Sequence, residues 1–442
     1  MIGLLVAGLI SLGAVDSVKT DAPVEISLEQ AIHIALSENE TVKIADKEIE
    51  RTQYAKKGTY AALFPQIDFS GSYQRTLKKQ KMYIDMQGMS PDGIEVGRWN
   101  TWSAGVSAAM PLVNAQVWES IKISAQDVEM AVEKARSSRL DMVTQVKTAF
   151  YAVLLAKEVR EVYREVYENA LVNCNTTEMR YNAQKASELD LVRAKANLAN
   201  AIPNLYDSDG AVEIALWQLK AVMGLNLEEE IGVSGSLHDY AKELSRNLYS
   251  QDYSLENNSA LKQLEIQAEQ LALSVKAQQY AYIPSLALAF NYNISATDNT
   301  YNFSQYNWSP YSFVGLSLNI PIFSGGKRLN SVRQSKTMAS ELELQRQSTE
   351  RQLKIALRQC LKSMETSTNS YFAADDALAT AQKAYAIAEQ SYNVGRSTLT
   401  DLNDAQLVLT QSELGVSQAI YSYIVAKAQL EQQLGYDFKM YE

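Results

Sequence analysis

Two aspartates three residues apart, Asp401 and Asp404, are the most suggestive pair of titratable groups in this 442-residue chain. On a helix they share a face. Asp401 has a structural reading as well. Thr398-x-x-Asp401 is a capping box with Asp in place of Glu or Gln, and Ser187-x-x-Asp190 repeats it. Both aspartates then stabilise a helix start, at the positive end of the helix dipole. Asp404 has no such explanation. Its equivalent in the first half of the chain is Arg193, so the repeat does not account for the carboxylate. A solvated surface position is the plain alternative for Asp404.

The remaining chemistry is sparse. The two histidines, His33 and His238, are too far apart in sequence to suggest a metal site or a triad. His33 reads as packing or solvent-facing on an early helix, and His238 as a surface-loop residue. Cys174 and Cys360 are too few for a disulfide framework and read as small core residues. Lys78, Lys79 and Lys81 read as an aqueous rim that touches lipid head groups. No catalytic, cofactor-binding or metal-ligating set is expected, and the net charge of −10 gives no general affinity for nucleic acid.

The elements that must position these residues come in two copies. Phe64-Pro65-Gln66-Ile67 is echoed by Ile283-Pro284-Ser285-Leu286, and Met110-Pro111-Leu112-Val113 by Ile320-Pro321-Ile322-Phe323. Tyr181-Asn182-Ala183 is echoed by Tyr392-Asn393-Val394. The offsets, roughly 210 to 220 residues, define two repeats, 24–235 and 236–435. Each reads as helix, proline, a β-like insert, proline, a very long helix, a turn and another helix. The linking segment 224–247, with the C-terminus, is expected to form an equatorial belt. Residues 1–15 read as the apolar region and cleavage site of a secretory signal, without the usual basic start.

The long helices are expected at about 115–176 and 187–224, then at about 328–394 and 398–434. Ile121, Ala125, Val128, Val132 and Ala135 recur at alternating spacings of four and three, the heptad of helices wound about one another. Ala374, Ala377, Ala381, Ala384 and Ala388 line the later seam, where small residues let helices approach closely. Roughly 60 residues make a rod of about 90 Å, too thin to bury a core of its own. Pro203 should kink or end the returning helix.

Strands are expected at about 66–82, 97–111, 285–297 and 308–321. In each, apolar residues alternate with Ser, Asn, Gly or Thr over about ten positions, the pattern of membrane barrel strands. Two such hairpins could instead make a soluble sandwich lid. The scarcity of charge on the polar face argues against that. Tyr83, Trp99, Trp102, Tyr301, Trp308 and Tyr311 gather near strand ends, like an interfacial girdle. Four strands cannot close a barrel, and open edges are not tolerated in lipid, so copies must share one. Two copies would give eight strands with a filled interior, and three would give twelve with room for a passage.

At Ile320-Pro321-Ile322-Phe323-Ser324-Gly325-Gly326-Lys327-Arg328 the chain resembles the strand-to-helix junction of the TolC-like outer-membrane efflux proteins. The run from Tyr392 to Gln406 resembles their second tip turn, and Ile26-Ser27-Leu28-Glu29-Gln30-Ala31 and Arg193-Ala194-Lys195-Ala196-Asn197-Leu198 also fit the family. The resemblance covers nearly everything after residue 24. It implies a mainly α fold with a small β part: a homotrimer with a twelve-strand β-barrel in the outer membrane of a Gram-negative bacterium. A periplasmic α-barrel of coiled-coil hairpins would hang below. It further implies a periplasmic adaptor, an inner-membrane pump of the RND, ABC or a similar type, and export by efflux or type I secretion.

The same resemblance assigns Asp401 and Asp404 to acidic constriction rings and Tyr392 to the gate. Threefold symmetry would put six carboxylates around one passage, raising some of their pKa values and attracting cations. The family's gate arginine falls two places after the glycine, where this chain has Ser397; Arg396 directly follows Gly395. The rival reading is a periplasmic coiled-coil adaptor or scaffold without a membrane barrel. An enzyme with an acidic active site would need a cleft motif that the sequence does not supply.

Overall fold

Long unbroken helices dominate the computed structural model, which describes residues 24–83, 93–244 and 253–436. The signal-like segment at 1–15, the end of the linking segment at 245–247 and the chain after 436 lie outside the described residues. The chain opens with β1 (Val24–Ile26), α1 (Leu28–Glu38) and α2 (Glu40–Ala61). Next come β2 (Gln66–Arg75), the short hairpin β3 (Gln80–Met82) and β4 (Ile94–Val96), and β5 (Asn100–Val113). Then α3 (Ala115–Asn182) and α4 (Glu188–Met223) lead to β6 (Ile231–Val233) and a 3-10 turn, Leu237–Glu243. The second half runs α5 (Ser259–Tyr280), β7 (Ser285–Asp298), β8 (Ser309–Asn319), α6 (Lys327–Asn393) and α7 (Leu399–Leu434). At 68 and 67 residues, α3 and α6 are rods of about 100 Å.

Three sequence expectations meet specific outcomes. The first strand leaves the sheet at Arg75, where Leu77-Lys78-Lys79 bends away, and resumes only as β3 against β4. Pro203 does not end α4, which continues to Met223. His238 lies in the 3-10 turn rather than in an irregular loop, half-buried beside Glu158.

The long sheet is antiparallel in the order β2-β5-β7-β8. Its register aligns Ile67, Ala108, Phe290 and Val314 across the four strands, so these side chains share one face. Phe69, Val106 and Tyr292 lie on it too. The opposite face carries Asp68, Ser107 and Asn291 in one row and Ser70, Gly105 and Asn293 in the next. Phe69 and Val314 are 75% and 70% exposed. Both edges, β2 and β8, lack a partner strand among the described residues. Among the described residues no helix is long and apolar enough to cross a membrane.

The core sits along the middle of the rods, where they cross α1, β6 and the 3-10 turn. Val146, Phe150, Val153 and Leu154 of α3 pack with Ile32 of α1, Leu219 and Met223 of α4, Leu237, and Ile420 of α7, all nearly inaccessible. β1 pairs parallel with β6 beside this core. Two matching knots tie the helix ends there. Asn39 caps α2 and donates its side-chain N–H to the Val222 carbonyl at 2.8 Å. Asn258 caps α5 and donates to the Gln433 carbonyl at 2.7 Å. Each returning helix then stops at a left-handed glycine, Gly224 or Gly435, packed so closely on the capping segment that a Cβ would collide with its backbone. Arg136 reinforces the second knot by donating to the Asn257 carbonyl at 2.6 Å.

Candidate functional site: the helical tip

The far ends of the rods form two turns, and each local sequence explains its turn. Gln184 follows α3 with φ 56°, and Gly395 follows α6 with φ 72°. Beyond them the Lys185 amide donates to the Arg180 carbonyl at 2.7 Å and the Arg396 amide to the Ser391 carbonyl at 2.8 Å. Both return helices start with a full capping box. The Thr398 hydroxyl accepts from the Asp401 amide, and the Asp401 carboxylate accepts from the Thr398 amide at 2.9 Å and hydroxyl at 2.7 Å. Ser187 and Asp190 reproduce the arrangement. The Thr398 hydroxyl and amide hold the Asp401 carboxyl below the usual aspartate range.

The two turns are joined by a clasp. Tyr392 is buried in a small core with Cys174, Ala194, Leu399 and Leu402. Its hydroxyl lies 2.7 Å from that of Thr177, which donates to the Asn173 carbonyl. Donating to that carbonyl uses the Thr177 hydrogen, so Tyr392 is the donor to Thr177. Arg180, in the last turn of α3, reaches across to the end of α6. It donates to the Tyr392 carbonyl at 3.2 Å and the Asn393 carbonyl at 3.0 Å, and its guanidinium sits 4.9 Å from the Tyr392 ring centre. The guanidinium thus satisfies carbonyls that a helix C-terminus leaves open and faces the negative end of that helix.

The sequence-predicted residues divide accordingly. Tyr392 is an internal link between the halves. Asp401 and Asp404 are exposed on the first and second turns of α7, with Asp401 engaged in its cap. Arg396 is exposed and forms no ion pair among the described residues. Arg193 donates to the Thr400 hydroxyl at 3.4 Å rather than pairing with Asp404. Sequence reasoning missed Thr177 and Arg180. The available signal was their spacing: Cys174, Thr177 and Arg180 fall three apart on one face at the end of α3.

Above the clasp, α3, α4 and α7 enclose a groove of about 420 Å³. Asn169, Asn173, Asn197, Asn200, Asn204 and Asn403 line it without any charged side chain. One bond crosses it, from the Asn169 amide to Gln406 at 3.3 Å. Nearby, burial and the Glu165 carboxylate raise the pKa of Glu413.

The profile of the outer membrane efflux protein family matches residues 31–225 and again 251–436. The chain is 21% identical over 383 residues to the outer membrane protein TolC of Vibrio cholerae, covering 85% of this chain and 83% of that protein. It is also 21% identical over 410 residues to the alkaline protease secretion protein AprF of Pseudomonas aeruginosa, covering 92% and 83%. Among solved structures, the Campylobacter jejuni CmeC outer membrane channel superposes with a TM-score of 0.73 at 18% identity, covering 92% of this chain and 85% of that one.

Proposed function

Because the chain belongs to the outer membrane efflux protein family, and is therefore an outer-membrane exit duct for efflux or secretion, we propose that three copies close one passage through shared sheets and rods. The observation that carries this reading is the sheet β2-β5-β7-β8, with two open edges and one exposed apolar face. Each large apolar side chain left in water forfeits roughly 1.5–3 kcal/mol of burial free energy. Lipid against the apolar face removes that cost. Pairing β8 of one copy with β2 of the next removes the open edges, which lipid forbids.

The helices above the equator support the same closure. There α2 packs on α3, α3 on α5 and α5 on α6, an order parallel to that of the strands. The free flanks of the helical layer are therefore α2 and α6, as those of the sheet are β2 and β8. One rotation would join both sets of edges, making a heterologous contact that closes into a ring. Three copies of four strands give a twelve-stranded barrel, wide enough for a passage. A coiled-coil scaffold without a barrel leaves both edges and the apolar face unexplained.

At the other end the tip is the gate. Exposed Asp401 and Asp404, repeated by the threefold axis, form acidic rings at the constriction, and the Tyr392–Arg180 clasp fixes the angle between the two helical hairpins. Arg396, without an ion pair among the described residues, is available to a neighbouring copy. A periplasmic adaptor and an inner-membrane pump deliver the substrate to this tip, and no bond chemistry is required. The closure test is chemical cross-linking of cysteine pairs placed on β2 and β8. Trimer-sized products from outer-membrane fractions are expected. A species that stays monomeric, or that carbonate extracts from the membrane, overturns the shared barrel.

A further inference from the structure

The polar face of the sheet is interrupted at one place. Tyr311 and Phe313, two residues apart on the edge strand β8, share the face opposite Val314 and are 55% and 51% exposed. The register places Phe313 directly beside Asn291 and Tyr311 beside Asn293, with Ser107 and Gly105 two strands along the same rows and Asp68 and Ser70 three, about 14 Å away. Every other side chain of these two rows is small or polar. The Asn291 Oδ1 is buried without a hydrogen-bond partner among the described residues. At Gly105 a Cβ would come within 3.0 Å of the Asn293 Oδ1. The glycine thus leaves room for that amide to lie against the wall beside the rings.

The charge on this face is as one-sided as its aromatic content. Asp68 is the only ionisable group in the rows of Tyr311 and Phe313 apart from the tyrosine itself, and the polar face of the four long strands carries no lysine or arginine. Two ring faces, flanking amides and a carboxylate suit a solute that is flat, aromatic and positively charged. The rings stack on it and attract its charge, while the Asn293 amide oxygen accepts its N–H groups.

We infer that Tyr311 and Phe313, with Asn291 and Asn293, form a stacking subsite for planar aromatic cations on the inner wall of the membrane barrel, in the field of Asp68 further along the row. This rests on the shared-barrel reading above, in which the polar face lines the passage. In the closed ring the pair recurs three times, next to the seam where β8 meets the following copy. A cation leaving the tunnel would then meet an aromatic collar before release.

The test is single-channel recording in planar bilayers with ethidium, a planar aromatic cation, and fluorescein, a planar anion, added at the barrel side. Block is normalised to each channel's own potassium chloride current. Ethidium should block the native channel reversibly, and fluorescein should not. The Tyr311→Ser/Phe313→Ser double variant should need roughly tenfold more ethidium for half-block, and Phe313→Leu, apolar but without a ring, should shift the same way by a smaller factor. Asp68→Asn should weaken ethidium block with both rings intact. Equal ethidium block in native and variant channels overturns the subsite but leaves the duct intact. So does equal block by the two dyes. A membrane-impermeant thiol reagent separates the other failure. In vesicles with Cys174 and Cys360 replaced by Ala, labelling of Val314→Cys but not of Phe313→Cys would put the rings in lipid and overturn both readings.

Discussion

Replacing Arg180 by Ala removes the clasp at its strongest point. Two guanidinium hydrogen bonds, at 3.2 and 3.0 Å to the Tyr392 and Asn393 carbonyls, and a ring contact at 4.9 Å are lost together. Hydrogen bonds from a charged donor contribute about 1.5–3 kcal/mol, and an exposed cation–π contact about 0.5–1 kcal/mol. The contacts share one half-buried side chain and are not additive, so the low end applies: about 2 kcal/mol. If the clasp forms only in the closed arrangement of the tip, its loss shifts the closed-to-open ratio by about thirtyfold. Arg180→Lys keeps the charge but cannot reach both carbonyls in a planar fork, so it should fall between the two. Planar-bilayer conductance measures open probability, and amide hydrogen exchange over 388–396 measures local opening. Both should rise in the order native, Arg180→Lys, Arg180→Ala. If exchange rises and conductance does not, the clasp is structural and the gate lies elsewhere. If neither changes, the energetic argument itself is wrong.

Asp404→Ala should alter conductance or divalent-cation block of the channel, because it removes the carboxylate free of the capping box; an unchanged current in both respects takes Asp404 out of the constriction. Asn39→Ala and Asn258→Ala should each lower stability by about 1 kcal/mol from the lost cap, and by somewhat more because the Val222 or Gln433 carbonyl loses its donor. Because the two knots are separate, the effects should add in a thermal or urea melt. Phe150→Ala, in the equatorial core, should cost about 3–5 kcal/mol in the same melt. The belt should respond to pH through His238 and Glu158. The Glu158 hydrogen bond raises the imidazole pKa against a smaller opposing effect of burial, and Asp239 and Asp375 also raise it. His238, with Ser236, lowers that of the Glu158 carboxyl. The imidazolium contribution is complete below the ordinary histidine pKa of about 6.5 and is lost as pH rises through the higher folded value. The carboxylate contribution is lost as pH falls through its depressed value. Hydrogen exchange over 237–243 should therefore increase above neutrality beyond the intrinsic base-catalysed rate, and His238→Gln should flatten that excess. The contact is 3.5 Å and half-exposed, so the effect is small.

The regular elements were legible because each has a period. Apolar heptads mark α3, and alternation marks β5, β7 and β8 over nearly their full lengths. The capping boxes at Ser187 and Thr398 were legible because a cap is a local bargain among four consecutive residues. What the sequence hid is what depends on approach between distant segments. Nothing near Asn39 announces that its amide meets Val222, and nothing near Arg180 announces Tyr392. The first strand was read too long because Leu77 continues the alternation. Only the geometry shows that the chain turns away after Arg75. Pro203 leads the sequence to a kink or a local end, but α4 runs on to Met223, since loss of one N–H and one ring clash is tolerable in a helix with packing partners on both sides of the site.

The two halves also show where structure and function part. Positions that tie the scaffold together keep their identity across the repeat: Asn39 and Asn258 as knots, Gly224 and Gly435 as helix stops, and Asp190 and Asp401 as caps. At the tip that equivalence fails in a consistent direction. Tyr181 and Tyr392 are counterparts, yet Tyr392 is buried and Tyr181 is 38% exposed. The partners that bury Tyr392 are Thr177 and Arg180, whose counterparts in the second half are Ala388 and Ser391. An alanine and a serine can neither accept the phenol hydrogen in the same place nor reach two carbonyls, so they cannot hold Tyr181 as Thr177 and Arg180 hold Tyr392. Within one protomer the clasp therefore runs one way, from the first hairpin to the second. Arg193 facing Thr400, where its counterpart is the carboxylate Asp404, breaks the repeat in the same place. A scaffold alone would leave the tip as symmetric as the equator. Substitutions that restore the symmetry, Ala388→Thr with Ser391→Arg, should bury Tyr181 and lower open probability; if they leave conductance unchanged, the asymmetry has no part in gating.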